Sequence, residues 1–248
     1  MTVLAVKGLS KSFGGVHAVR GVSFSVAAGE LLAMIGPNGA GKSTCFNLLN
    51  GQLAPDAGAI ELDGRSIAGL APRDIWRLGV GRTFQITATF GSMSVRENVQ
   101  VALLSRRRGL WSLLPLAARC ERAEADGLLA RVGMLDQAER PCAMLAYGDL
   151  KRVELAVALA GRPRLLLMDE PAAGMAAAER DALMRLAGVL AREEQVAVLF
   201  TEHDMDLVFT HAHRVIVLAG GELIAEGPPQ AVRANARVRE IYLGAADD

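Results

Sequence analysis

The segment Gly36-Pro37-Asn38-Gly39-Ala40-Gly41-Lys42-Ser43 fits the pattern G-x-x-x-x-G-K followed by Ser or Thr without a mismatch. Such a loop works only between a strand and a helix start, and its neighbours meet that condition. Leu31-Leu32-Ala33-Met34-Ile35 is short, apolar and strand-like, and Thr44 to Leu49 can continue as a helix. Backbone N–H groups at a helix N-terminus point at phosphate oxygens, and the helix dipole adds positive potential. In that setting Lys42 binds the β- and γ-phosphates of a nucleoside triphosphate, and the Ser43 hydroxyl holds Mg²⁺.

Further residues could complete that chemistry. Asp169-Glu170 follows the apolar run Leu165-Leu166-Leu167-Met168. At the carboxyl end of a buried strand both carboxylates face the ligand crevice of an open α/β sheet. Asp169 suits a Mg²⁺ contact, and Glu170 is placed to polarise a water attacking the γ-phosphate. His203 ends the next apolar run, in Phe200-Thr201-Glu202-His203-Asp204. A histidine at a strand end is often structural; after the two preceding motifs it reads as a γ-phosphate contact. Gln85, in Gly81-Arg82-Thr83-Phe84-Gln85, is a weaker signal, with an amide able to sense Mg²⁺ or the attacking water. Leu145-Ala146-Tyr147-Gly148-Asp149 opens a helix and offers a second anion site. One fold needs only one phosphate loop, so this second site suggests service to another molecule's nucleotide.

The elements that must position these residues follow from periodicity. Val3 to Leu9 and Ala18 to Val26 alternate as half-buried strands, and Ile60-Glu61-Leu62 before Asp63-Gly64 is another strand and turn. From about Ile86 to Gly161 helical signals dominate. Ser94-Val95-Arg96-Glu97 has the capping-box pattern, with Val95, Val99 and Leu103 at helical spacing. Arg119 to Val132 is a second amphipathic segment, and Leu150, Val153 and Val157 mark a third. Strands resume at Leu165 to Met168 and Val196 to Phe200, separated by a helix carrying Leu183, Leu186 and Leu190. Val215 to Leu218 and Glu222 to Ala225 form a hairpin through Gly220-Gly221. Continuous apolar strands alternating with helices indicate a layered α/β sheet with a helical subdomain inserted.

Composition narrows the partners. With 27 basic and 27 acidic residues in 248, the formal charge is zero, which gives no electrostatic case for nucleic acid. Arg106-Arg107-Arg108 could meet a partner or lipid headgroups, a solvated loop being the favoured reading. Cys45, Cys120 and Cys142 have no metal spacing and suit a reducing cytosol. The N-terminal residues turn polar too soon for a signal peptide. The apolar stretch Gly109 to Ala118 is interrupted by Pro115 and falls short of the roughly 20 residues that span a bilayer. Any membrane role is therefore expected to come through a partner.

These residues, in this order, resemble the nucleotide-binding subunits of ABC transporters along essentially the whole chain. Phe13 is similar to the adenine-stacking aromatic, and Gly36 to Ser43, with Thr44 beyond, to the Walker A loop. Gln85 is similar to the Q-loop, Leu145 to Asp149 to the signature, Leu165 to Glu170 to Walker B, and His203 to the switch histidine. The resemblance implies a P-loop NTPase core of RecA-like type, about 3–85 and 162–248, with an antiparallel β subdomain and a helical subdomain at about 86–161. It implies ATP and Mg²⁺ bound by Phe13, Gly36, Pro37, Asn38, Gly39, Ala40, Gly41, Lys42, Ser43, Thr44 and Gln85. Ser43, Gln85 and Asp169 would face the metal, and Glu170 and His203 would act in hydrolysis. Ala146, Tyr147 and Gly148 would close over a second subunit's nucleotide in a head-to-tail dimer.

The finer resemblance is to the group energising uptake of branched-chain and other hydrophobic amino acids. It rests on Leu145 to Gly148, Pro171-Ala172-Ala173-Gly174, Thr201 to Met205, the extended segment around Ser105 to Arg119 and the ending Ile241-Tyr242-Leu243-Gly244. It implies two membrane permeases, a periplasmic or extracellular binding protein, and residence at the cytoplasmic face of the cell membrane. Related urea or amide importers, a lipopolysaccharide exporter and a soluble ATP-dependent switch are the alternatives. A P-loop kinase or GTPase is disfavoured, since a guanine-specifying Asn-Lys-x-Asp is absent.

Ala146 stands where the family commonly has serine, although this subgroup often has alanine; Asp149 stands where it commonly has glutamine, and Ala176 where the D-loop has Asp or Asn. The extra carboxylate of Asp149 is unfavourable near triphosphate unless it points away or meets a cation. These departures suggest one weaker composite site within a heterodimer, a homodimer being the other arrangement. Replacing Lys42 by Ala is expected to weaken ATP binding itself rather than only turnover. Equilibrium titration with a fluorescent ATP analogue reads this directly, and unchanged affinity contradicts the role of Lys42.

Overall fold

The computed structural model describes residues 1–83, 89–106 and 121–243, with the side chains of Tyr242 and Leu243 left out. In chain order come β1 (Thr2–Phe13), β2 (Val16–Ala27) and β3 (Leu31–Ile35), then the glycine loop and α1 (Lys42–Leu49). Next are β4 (Ala57–Leu62), β5 (Arg65–Ser66), α2 (Pro72–Arg77) and β6 (Val80–Thr83). The helices α3 (Val95–Arg106), α4 (Arg122–Arg131) and α5 (Tyr147–Ala160) follow. The chain finishes with β7 (Leu165–Asp169), α6 (Ala177–Glu194), β8 (Ala197–Thr201), α7 (Met205–His211), β9 (Arg214–Ala219), β10 (Glu222–Gly227), α8 (Pro229–Ala234) and α9 (Ala236–Leu243).

The strands make two sheets. One is antiparallel, in the order β2-β1-β4-β5; the other runs β10-β9-β3-β8-β7-β6 and is parallel except for its β9–β10 edge. Parallel strands joined by helices are covered on both faces, which explains the unbroken apolar runs. Along β3, Leu31, Ala33 and Ile35 join the core on the helical side, while Leu32 and Met34 pack toward the antiparallel sheet. Val198 and Phe200 of β8 divide from Ala197 and Leu199 in the same way. The chain is thus a P-loop α/β core carrying an antiparallel β subdomain and an inserted helical one.

Local signals explain most elements. Ser94 N–H donates to Glu97 Oε2 at 2.7 Å and Glu97 N–H to Ser94 Oγ at 3.2 Å, so the reciprocal cap of α3 forms. Val95, Val99 and Leu103 are fully buried on one face of that helix. In β1 the alternation is imperfect: Val3 and Leu4 are both buried, and the pairing to β2 shifts register between Thr2 and Leu4 and again between Val6 and Leu9. An added residue in one strand turns the following side chains to the other face, so strict alternation stops there. The second amphipathic segment is helical as α4, from Arg122; the start expected at Arg119, with Arg107, Arg108, Gly109 to Ala118 and Cys120, lies outside the described residues.

Phe46 of α1 is fully buried against the face of the sheet turned to β1 and β4. Because it anchors the loop-bearing helix, Phe46→Ala should lower unfolding free energy by about 3–5 kcal/mol, measured by urea denaturation. A loss below about 1 kcal/mol would show that α1 is not held by this contact.

Candidate functional site

Strands β3, β7 and β8 are neighbours and parallel, so their carboxyl ends share one edge. The glycine loop leaves β3 there, Asp169-Glu170 leaves β7, and Glu202-His203 leaves β8. The loop is shaped by close backbone approach. A Cβ at Gly36 would lie 2.2 Å from Leu218 O, and one at Gly41 would lie 2.3 Å from Ala18 O, with Gly41 also at φ +101°. Side chains are sterically forbidden at both positions. Asn38, Gly39 and Ser43 are exposed, Pro37 and Thr44 partly buried, and Ala40 buried.

Lys42 is 8% exposed and folds back on the loop, donating to Gly36 O at 2.6 Å and Pro37 O at 3.1 Å. Burial lowers the pKa of its ammonium, while the charges of Glu170 and Asp169 pull in the opposite direction. The ammonium thus lies within the field of two carboxylates at the edge where the glycine loop opens. Cys45, one turn further on, is fully buried and its thiol pKa is pushed up to about 12, so it takes no part.

Thr201 holds the Asp169 carboxylate and the Glu170 backbone. Its hydroxyl donates to Asp169 Oδ1 at 2.8 Å and accepts from Glu170 N–H at 3.1 Å, and its carbonyl accepts from the same N–H at 3.1 Å. Glu170 sits at φ +48°, a left-handed conformation that a glutamate holds only when its surroundings fix it. His203 Nε2 lies 2.8 Å from Glu170 Oε1. The neighbouring Glu202 is buried and accepts from Ala172 N–H at 2.7 Å; burial raises its carboxyl pKa above the ordinary value. Arg82 completes the cluster by pairing with Asp169 at 3.1 Å.

Other expected residues lie elsewhere. Phe13 ends β1 with an exposed ring and Lys11 Nζ 5.7 Å from its centre. Ala146 caps α5 without a side-chain bond, Tyr147 is exposed, and Gly148 is buried with the Glu179 carboxylate beside it. Asp149 Oδ2 accepts from Gln137 Nε2 at 3.1 Å, so its partner is a neutral amide of this chain and not a cation. At Ala176, Glu179 Oε2 accepts the backbone N–H at 3.4 Å, providing a cap that the alanine lacks. Gln85 lies outside the described residues. Between α2, β6, α3 and α5 is a cavity of about 480 Å³ lined by Ile75, Trp76, Val80, Arg82, Ala102 and Val157, among others.

Residues 19–173 match the family model described as ABC transporter. The chain belongs to the ABC transporter family. Residues 222–248 match a second model, described as branched-chain amino acid ATP-binding cassette transporter. The chain is 40% identical over 251 residues to the high-affinity branched-chain amino acid transport ATP-binding protein LivG of Salmonella typhimurium, covering 98% of each. It is 41% identical to BraF of Pseudomonas aeruginosa, a protein of the same description, again over 98% of each. A nucleotide-free ATP-binding cassette from an ABC transporter superposes with a TM-score of 0.86 at 29% identity, over 98% of this chain and 99% of that one. An ADP-bound conformation of such a cassette gives the same TM-score. The chain is thus a nucleotide-binding ATPase of this family, whose activity is coupled to transport. ATP-binding subunits of ABC importers work with membrane permeases. Among the described residues no helix is long and apolar enough to cross a membrane.

The sequence reading passed over Thr201 and Arg82; a threonine closing an apolar strand was the available sign. Thr201→Val keeps the shape and removes the hydroxyl. Steady-state ATPase assays should show turnover reduced by on the order of 10- to 100-fold with a near-normal melting curve. Full turnover would mean that the carboxylates are held without it.

Proposed function

We propose that this chain is the ATP-hydrolysing subunit of an importer for branched-chain or other hydrophobic amino acids. The observation carrying the hydrolytic reading is the 2.8 Å contact of His203 with Glu170 beside the buried Lys42. In this reading Phe13 stacks on adenine, and the backbone of Gly36 to Thr44 wraps the phosphates with Lys42 on the β- and γ-groups. Glu170 takes a proton from water as that water attacks the γ-phosphorus and the bond to the β-phosphate oxygen breaks, leaving ADP and phosphate. His203 holds Glu170 and contacts the γ-phosphate.

The donor set suits Mg²⁺: a hydroxyl at Ser43, a carboxylate at Asp169 and the amide of Gln85 are hard oxygen ligands. Among the described residues no group of three or more His, Cys, Asp or Glu could hold a metal, which favours a cation sharing phosphate oxygens over an all-protein cage. When bound, Mg²⁺ neutralises charge developing on the β- and γ-oxygens.

Ala146, Tyr147 and Gly148 serve the nucleotide of a second ATP-binding subunit, in a heterodimer or a homodimer. The family's use of paired cassettes and the alanines at 146 and 176 support a heterodimer with one weaker site. Two permeases, met at the cavity beside α2 and α3, and a periplasmic or extracellular binding protein complete the assembly at the cytoplasmic face of the membrane. Nucleic acid has no place in it. The chain divides into a core at about 3–85 and 162–248 and a helical part at about 86–161. The substrate class is supported by the LivG and BraF relatives and by the match at residues 222–248.

Glu170→Gln should retain ATP binding, cut hydrolysis by roughly 10²–10⁴-fold and trap a closed dimer seen by gel filtration with ATP. Normal turnover in that variant refutes Glu170 as the base.

A further inference from the structure

Arg82 holds Asp169. Its Nη2 donates to Asp169 Oδ2 at 3.1 Å, and the two side chains are only 13% and 15% exposed. Its Nη1 donates to Asn47 Oδ1 on α1 at 2.8 Å and to Gln52 Oε1 at 3.1 Å. The guanidinium is therefore fixed from β6, α1 and β7 together. Thr201 occupies the other oxygen of Asp169. A pair this shielded is little screened by salt.

Two consequences follow for a cation near Asp169. Each oxygen of Asp169 already carries one hydrogen bond, from Arg82 or from Thr201, which makes either a poorer ligand for a cation. The carboxylate's field is also largely cancelled by a positive charge that cannot leave. We propose that Arg82 is a positioning residue that weakens the divalent-cation site, so that the metal departs with ADP after hydrolysis. The proposal rests on the reading of Asp169 as the cation-facing carboxylate. A purely architectural arginine would have the opposite effect, since releasing Asp169 would disorder the site and weaken binding.

Mn²⁺ titrated into ADP-saturated protein and followed by electron paramagnetic resonance separates these cases. Arg82→Gln keeps a donor for Asp169 without the charge, and Arg82→Met is a second neutral variant should the first not fold. Either should bind Mn²⁺ about tenfold more tightly than wild type, and Arg82→Lys should stay near wild type. Stopped-flow release of a fluorescent ADP should slow in parallel. In an Asp169→Asn background the effect of Arg82→Gln should vanish. Equal or weaker Mn²⁺ binding by the neutral variants overturns the proposal. No Mn²⁺·ADP binding by the wild type overturns the reading of Asp169 beneath it.

Discussion

Lys42 places a positive charge where water is largely excluded, and much of the surrounding chain exists to make that tolerable. An ammonium taken from water is costly unless hydrogen bonds or opposite charge compensate. Here the loop's own carbonyls at Gly36 and Pro37 supply the bonds, while Asp169 and Glu170 supply opposing field without closing an ion pair. The balance is incomplete, since burial still outweighs the carboxylates. On the proposed reading, a phosphate chain supplies what is missing. The affinity of the loop for anions is in this sense the remainder of a folding problem.

The parallel sheet makes that arrangement possible. Adjacent strands β7 and β8 run in register, with Asp169 opposite Thr201, so one hydroxyl reaches the Asp169 carboxylate and the Glu170 N–H. The same register brings His203 to Glu170. The left-handed backbone at Glu170 is strained locally, and the Thr201 hydroxyl and carbonyl oxygens, both accepting the Glu170 N–H, hold it. The fold thus fixes two adjacent acids by different contacts, Asp169 through its side chain and Glu170 through its backbone.

Much of this was legible in sequence because it is local. The loop pattern, the apolar runs and the Ser94–Glu97 cap each depend on residues close along the chain. Thr201 and Arg82 were missed because their partner, Asp169, lies 32 and 87 residues away. Nothing in the residue types alone announces a contact over such distances. The charge of Asp149 raised a concern by analogy, and its partner in this subunit, the Gln137 amide, is neutral and does not offset it. Strand ends in β1 escaped for another reason: bulges shift the face on which later residues fall, and alternation does not reveal them.

The lysines of this chain are Lys7, Lys11, Lys42 and Lys151, which makes selective labelling of the Lys42 side chain tractable. Carbon-13 NMR titration of its Cε tests the central claim directly. Without nucleotide Lys42 should lose its proton below the ordinary 10.5, and ADP should move that titration upward as phosphate stabilises the charged form. An ordinary titration that ADP leaves unchanged would contradict the account, because the buried charge would then play no part in holding phosphate.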